Sequence, residues 1–205
     1  MTSSVPTYYS KVDLPARFEV PLGAVTKEGR LSVAKFETPL LVQTPPVPLT
    51  IVSDNVIWFA PSPAFHRFLS ETEAHLKAAM VKFTSYEAEA VDNAFKSFFD
   101  DDGNFKIRLS SDFALFDESG GAVDPLDDAF ALAEGDTVRF VLEMDRACFG
   151  KTEFGGLWRA VQGSRVPPPP ACLLQPEEPE PEAPEEPVPV DPEPVDETQE
   201  AAEFA

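Results

Sequence analysis

Thr137-Val138-Arg139-Phe140-Val141-Leu142-Glu143-Met144 decides the fold. Val138, Phe140, Leu142 and Met144 alternate with Thr137, Arg139, Val141 and Glu143, the period-two signature of a half-buried β-strand. The apolar run continues to Phe149, and a second one, Leu157 to Val166, follows a glycine-rich stretch from Gly150 to Gly156. Two such runs across a short turn predict a closing β-hairpin. Upstream, Phe105 to Leu109 and Phe113 to Phe116 read as strands, with a turn at Gly120-Gly121. Near the amino terminus, Leu31 to Phe36, Leu40 to Gln43 and Val56 to Phe59 are short β-forming runs punctuated by Pro39, Pro45, Pro46 and Pro48.

Between these two groups of strands the period changes. Phe65, Phe68, Leu69, Leu76, Ala79, Met80 and Phe83 fall near helical spacing, and Ser62 precedes a proline suited to a first turn. A second helix is expected from Thr84, where Thr84 and Glu87 have capping-box spacing and Ala88, Val91, Phe95, Phe98 and Phe99 continue an apolar stripe. Asp100-Asp101-Asp102-Gly103 ends it. The expected fold is mainly β: a small barrel with a helical insertion at about residues 63–99.

After Val166 the composition changes to four consecutive prolines and then a Pro/Glu alternation. Twelve of the 36 acids lie there and no Lys or Arg does, so residues 166–205 carry −12, while residues 1–165, with 24 acids against 16 bases, carry −8. A segment with so little apolar surface cannot offset its ordering entropy, and proline and like-charge repulsion extend it. The expected organisation is one domain, residues 1–165, followed by a disordered acidic tail, residues 166–205. No run approaches the roughly 20 apolar residues that span a bilayer, and no apolar h-region opens the chain, so no membrane partner is expected. Cys148 and Cys172 form no disulfide framework, and a reducing intracellular location is the expectation.

An enzyme reading finds little support. His66 and His75 are nine residues apart on one predicted helix, without metal-ligand spacing. Aligning Gly103 to the sixth position of a calcium loop puts Phe98 and Leu109 at the first and twelfth, which excludes that reading. No phosphate-binding loop, nucleophile elbow or dinucleotide fingerprint occurs, and no metal or cofactor is expected. The closing hairpin instead interleaves aromatic and basic residues around a glycine-rich turn: Arg146, Phe149, Lys151, Phe154, Trp158 and Arg159. Single-stranded nucleic acid suits that mixture, with bases stacking on rings and cations neutralising phosphates. Lys106, Arg108 and Arg139, on neighbouring predicted strands, extend the basic track, whereas Trp58-Phe59 is assigned to the core. At the far end, Glu203 and Phe204 close the acidic tail with one aromatic side chain. A detached polyanion of this kind competes for a basic groove and, once displaced, docks on basic partners.

Four segments carry a resemblance: Pro39 to Pro45, Phe116 to Gly121, Gly135 to Phe140, and Phe149 to Gln162 with its aromatic-Gly-Lys turn and Gly-x-x-Trp-x-x-x-Gln. There the sequence resembles the phage-type single-stranded-DNA-binding proteins with an acidic carboxyl tail, in the branch found in nucleo-cytoplasmic large DNA viruses of algae and amoebae. The resemblance implies an OB-fold, a five-stranded, partly open barrel. It also implies non-specific binding of single-stranded DNA in viral DNA replication and recombination, with the tail contacting a viral polymerase or helicase. The location it implies is the infected host cell, in the nucleus or a cytoplasmic viral factory. Two features depart from the pattern: the body is itself acidic, and Ala205 follows Phe204. The alternative from another class is a viral structural or scaffold adaptor using the barrel and polyproline arm for protein contacts. RNA as ligand and a homodimer remain open on the sequence.

Overall fold

The computed structural model describes residues 6–19, 22–23, 25–28, 31–53, 55–84, 86–124, 131–150 and 153–167. Its elements, in order, are β1 (Thr7–Tyr8), α1 (Leu14–Glu19), β2 (Val25–Glu28), β3 (Leu31–Gln43), β4 (Val47–Pro48), β5 (Ile51–Ser53) and β6 (Val56–Phe59). There follow α2 (Pro63–Thr84), α3 (Ala88–Ala94), β7 (Phe105–Phe116), β8 (Ala122–Val123), β9 (Thr137–Phe149) and β10 (Phe154–Arg165).

The fold is mainly β with the expected helical insertion. Its strands join one open sheet in the order β1-β3-β9-β10-β7-β6-β5, with β2, β4 and β8 pairing at the side of that path. Strand β9 is antiparallel to β3 on one edge and to β10 on the other. Strand β10 then runs parallel to β7, and β6 and β5 complete the antiparallel remainder. The alternation that predicts β9 is realised: Val138, Phe140, Leu142 and Met144 are all buried.

Two pairs of predicted strands are single strands here. The runs on either side of Pro39 are both part of β3, whose register on β9 shifts between Lys35 and Leu40. Proline has no ladder donor, and a bulge is where a sheet tolerates it. In the same way β7 joins Phe105–Leu109 to Phe113–Phe116 past an irregularity in its pairing with β10. Just beyond β3, buried Thr44 accepts the Phe140 N–H at 2.9 Å through its hydroxyl, which donates to the Pro45 carbonyl at 2.7 Å.

Helix α2 closes the core. Phe65, Phe68, Leu69, Thr72, Leu76 and Met80, at three- and four-residue spacing, form its buried face. The Ser62 hydroxyl accepts the Phe65 N–H at 3.4 Å, with Pro63 opening the first turn. The helix lies so close to β10 that a Cβ on Gly156 would stand 2.8 Å from Leu76 Cδ2 and from Met144 Sδ. Gly155 and Gly156 thus belong to a strand rather than to the turn, and close approach is what requires the second of them.

The second helix is shorter than its apolar stripe predicts. It ends at Ala94, and Phe95 turns to extended backbone (φ −75°, ψ 125°) and bridges to Phe154. The Glu73 carboxylate on α2 accepts the Ser97 hydroxyl at 2.9 Å and the Phe98 N–H, which holds this segment extended and seats Phe98 between Phe105 and Trp158. Nor does the predicted capping box form: the Thr84 hydroxyl donates to the Met80 carbonyl inside α2, and Glu87 caps α3 without a side-chain bond.

Candidate nucleic-acid interface

The outer face of the sheet follows from strand alternation. On β7, Phe105 and Ile107 point into the core, leaving Lys106 and Arg108 outside. On β6, Ile57 and Phe59 are buried and Val56 and Trp58 face out; on β10, Trp158 and Ala160 are buried and Leu157 and Arg159 face out. Register aligns these side chains across the sheet, with Trp58 beside Lys106, Val56 beside Arg108, Arg108 beside Arg159, and Arg159 beside Glu143.

The cations on this face divide into two sets. Arg159 donates to Glu143 at 2.7 Å and to Asp145 at 3.0 Å. Arg146 makes two hydrogen bonds to Asp145, at 2.8 and 2.6 Å, and a third to Glu28. Burial alone would raise the Asp145 pKa, but hydrogen bonding to Arg146 and the charges of Arg159 and Arg146 outweigh it and hold the carboxyl below its ordinary value. The same hydrogen bond raises the Arg146 pKa. Burial pushes the neighbouring Cys148 thiol up. Lys106 and Arg108, by contrast, are exposed and have no carboxylate partner among the described residues. Lys96 approaches Glu153 only at 4.0 Å, with both side chains mostly exposed, a contact worth little.

Lys96, Lys106, Arg108 and the Glu153 carboxylate line a groove of about 320 Å³ together with Phe154, Gly155 and Leu157. Lys96 lies beside the start of β10, its backbone N–H donating to the Phe154 carbonyl at 2.7 Å. Phe154 joins a ring cluster with Phe149 at 5.8 Å and Tyr86 at 5.8 Å, while Phe83 packs on Phe149 at 5.7 Å. Tyr86 is 54% exposed. On the other side of the cations, the Lys106 ammonium sits 5.0 Å from the centre of the Trp58 ring.

Against the expected site, Lys106, Arg108 and Phe154 come together at the groove, and Phe149 stands behind Phe154. Trp158 is corrected to a core residue: 2% exposed, it packs edge-on against Phe98 and Phe105, leaving no free ring face for a base. Arg146 and Arg159 are corrected to clamped cations, neutralised by Asp145, Glu143 and Glu28. Arg139 is exposed but nine residues from Cys148, roughly 30 Å along an extended strand. Lys151, Glu203 and Phe204 lie outside the described residues.

Three contributors escape the sequence reading: Trp58, Lys96 and Tyr86. Alternation within Val56–Phe59 carries the signal for Trp58, since Ile57 and Phe59 point inward and their neighbour cannot. Lys96 and Tyr86 carry none, because both flank a helix whose ends the sequence misplaces. His66 stacks on Phe99 at 4.2 Å and His75 on Phe18 at 5.8 Å, so the two imidazoles form no joint centre.

No family model matches the sequence. No curated protein matches it either. Solved structures do align with it, among them two of the single-stranded DNA-binding protein from bacteriophage Enc34. The C-terminally truncated form has 11% identity and a TM-score of 0.45, over 71% of this chain and 94% of that one. The form in complex with single-stranded DNA has 10% identity and a TM-score of 0.43, over 70% and 94%. A likeness this distant assigns no role to any residue here.

Proposed function

We propose that this chain binds single-stranded DNA without sequence preference and acts as a binding protein rather than an enzyme. One observation carries the reading: Lys96, Lys106 and Arg108 line a groove with half-buried Phe154 and a single carboxylate, Glu153, while Arg146 and Arg159 of the hairpin are already paired with acids. Unpaired bases offer faces for rings to stack on, and the three cations meet the phosphates between them. Duplex DNA hides those faces in its own stack. The test is fluorescence anisotropy of the full chain with labelled single-stranded and duplex oligonucleotides at low and moderate salt, with an RNA oligonucleotide in parallel. Single-strand preference supports the reading; preference for duplex, or no binding at low salt, refutes it.

The setting we propose is viral DNA replication and recombination inside the infected cell, as in the family branch that the four sequence segments resemble. Within it, residues 1–165 bind DNA and residues 166–205 form a separate acidic arm. Its twelve carboxylates compete in cis with phosphate, and Glu203 and Phe204 dock on a viral polymerase or helicase. Deleting residues 176–205 is then expected to tighten single-strand binding at low salt. Above about 0.15 M, where the Debye length is about 8 Å or less, truncated and full chains converge. A truncation that weakens low-salt binding removes the competition from the account.

A further inference from the structure

Trp58 stands apart from the other large rings of this protein. It lies outside the core cluster and outside the rings around Phe154, and what lies over its ring is the Lys106 ammonium. Opposite it on β5, Ile51 is 44% exposed and extends an apolar shelf at the far edge of the indole. Lys106 also lines the groove, so one ammonium serves both the ring and the groove.

Resting on the single-strand reading above, we propose that Trp58 is a base-stacking platform of that site. Lys106 covers the ring in the free protein and leaves it for a phosphate when a base arrives. Strand order supplies the path: β10, β7 and β6 are successive neighbours. Arg159 on β10, Arg108 and Lys106 on β7 and Trp58 on β6 all face outward, so a strand crossing the sheet from the groove passes the β7 cations and then meets the Trp58 ring. The exchange is downhill. A single lysine over a half-buried indole is a modest contact, whereas the bound state replaces it with a stacked base and a neutralised phosphate.

The chain has two tryptophans, and Trp158 is buried. Tryptophan emission therefore reports on Trp58 selectively when DNA stacks on it. The experiment follows intrinsic emission and anisotropy together while labelled oligo(dT) is added to the full chain, to Trp58→Phe and to Trp58→Leu. In the unsubstituted chain, emission is expected to fall in step with the rise in anisotropy. Trp58→Phe is expected to keep the anisotropy rise and lose the quench. Trp58→Leu is expected to bind roughly 5- to 140-fold more weakly, the range for one lost base stack. A quench that persists in Trp58→Phe overturns the proposal, and so does binding by folded Trp58→Leu within twofold of the unsubstituted chain. Should Trp58→Leu fail to fold, the quench in Trp58→Phe decides alone. An unsubstituted chain that shows no anisotropy rise sinks the single-strand reading itself, and the platform with it.

Discussion

Salt dependence separates the free cations from the clamped ones. On a single strand, each Lys or Arg that neutralises a phosphate contributes about 0.7 to the slope of log Kobs against log salt. Lys96, Lys106 and Arg108 together give a slope of about −2, and adding Arg146 and Arg159 would make it about −3.5. Over the fourfold change from 50 to 200 mM, these slopes correspond to affinity losses of roughly 18-fold and 130-fold. Lys151 would shift both totals equally, so paired variants discriminate better than the absolute value. Arg108→Gln removes a cation with no carboxylate partner among the described residues, and should flatten the slope by about 0.7 with an unchanged melting temperature. Arg146→Gln strips hydrogen bonds from Asp145 and Glu28, and the Asp145 side chain is only 14% exposed. Leaving those bonds unmade costs about 1–3 kcal/mol, several degrees of melting temperature for a chain of this size. Its salt slope should match that of the unsubstituted protein. The assays are anisotropy titrations at four salt concentrations and thermal melts by circular dichroism. If Arg146→Gln flattens the slope as much as Arg108→Gln does, the clamp opens on binding and the division into two sets is wrong.

Three further outcomes follow from the packing and the clamp. Trp158→Ala, which empties a core position between Phe98 and Phe105, should destabilise by about 3–5 kcal/mol in urea unfolding, and a stable variant that merely loses DNA affinity would return Trp158 to the interface. Gly156→Ala, forced against Leu76 and Met144, should lose about 1–3 kcal/mol without changing the salt slope; an unchanged melt would mean that α2 gives way. The folded Asp145 pKa is lowered, so its contribution is present above the unfolded value near 4 and is lost as pH falls through the folded value. Urea unfolding at pH 7 and pH 3 should show a smaller acid loss for Asp145→Asn than for the unsubstituted chain, and equal losses would exclude Asp145 as a source of acid sensitivity.

Period-two alternation makes β9 legible to the residue, because a half-buried strand writes its register into its own sequence. Strands β3 and β7 are legible only in halves, since a bulge interrupts pairing without ending the strand. The second helix fails for a different reason: its apolar stripe fits a helix, but Glu73, more than twenty residues upstream, captures Ser97 and Phe98 and holds them extended. At the site, alternation correctly places Lys106 and Arg108 outside. Trp158 is misread because β10 bears two register shifts, and composition alone does not say which face its indole takes. The clamp is unreadable for a plainer reason, since Glu28 and Arg146 are 118 positions apart and meet only across β2, β3 and β9.

How a chain of net charge −20 would hold a polyanion, as proposed, is a question of range. At 0.15 M salt the Debye length is about 8 Å, so a phosphate in the groove responds to Lys96, Lys106 and Arg108 against the one groove carboxylate, Glu153, and little to carboxylates farther off. The clamp contributes here by subtraction: Glu143, Asp145 and Glu28, which would otherwise repel the strand at the neighbouring edge of the face, are occupied by Arg146 and Arg159. Two arginines that read as DNA ligands are thus held against acids in this structure. At 0.01 M the Debye length grows to about 30 Å, and the net −8 of residues 1–165 reaches the groove. Long-range repulsion then opposes the gain from weaker screening of the three cations. A plot of log Kobs against log salt should therefore bend toward zero slope below about 0.02 M. A line that stays straight through that range would mean that the acids lie too far from the bound strand to oppose it, and that the cations alone set its affinity.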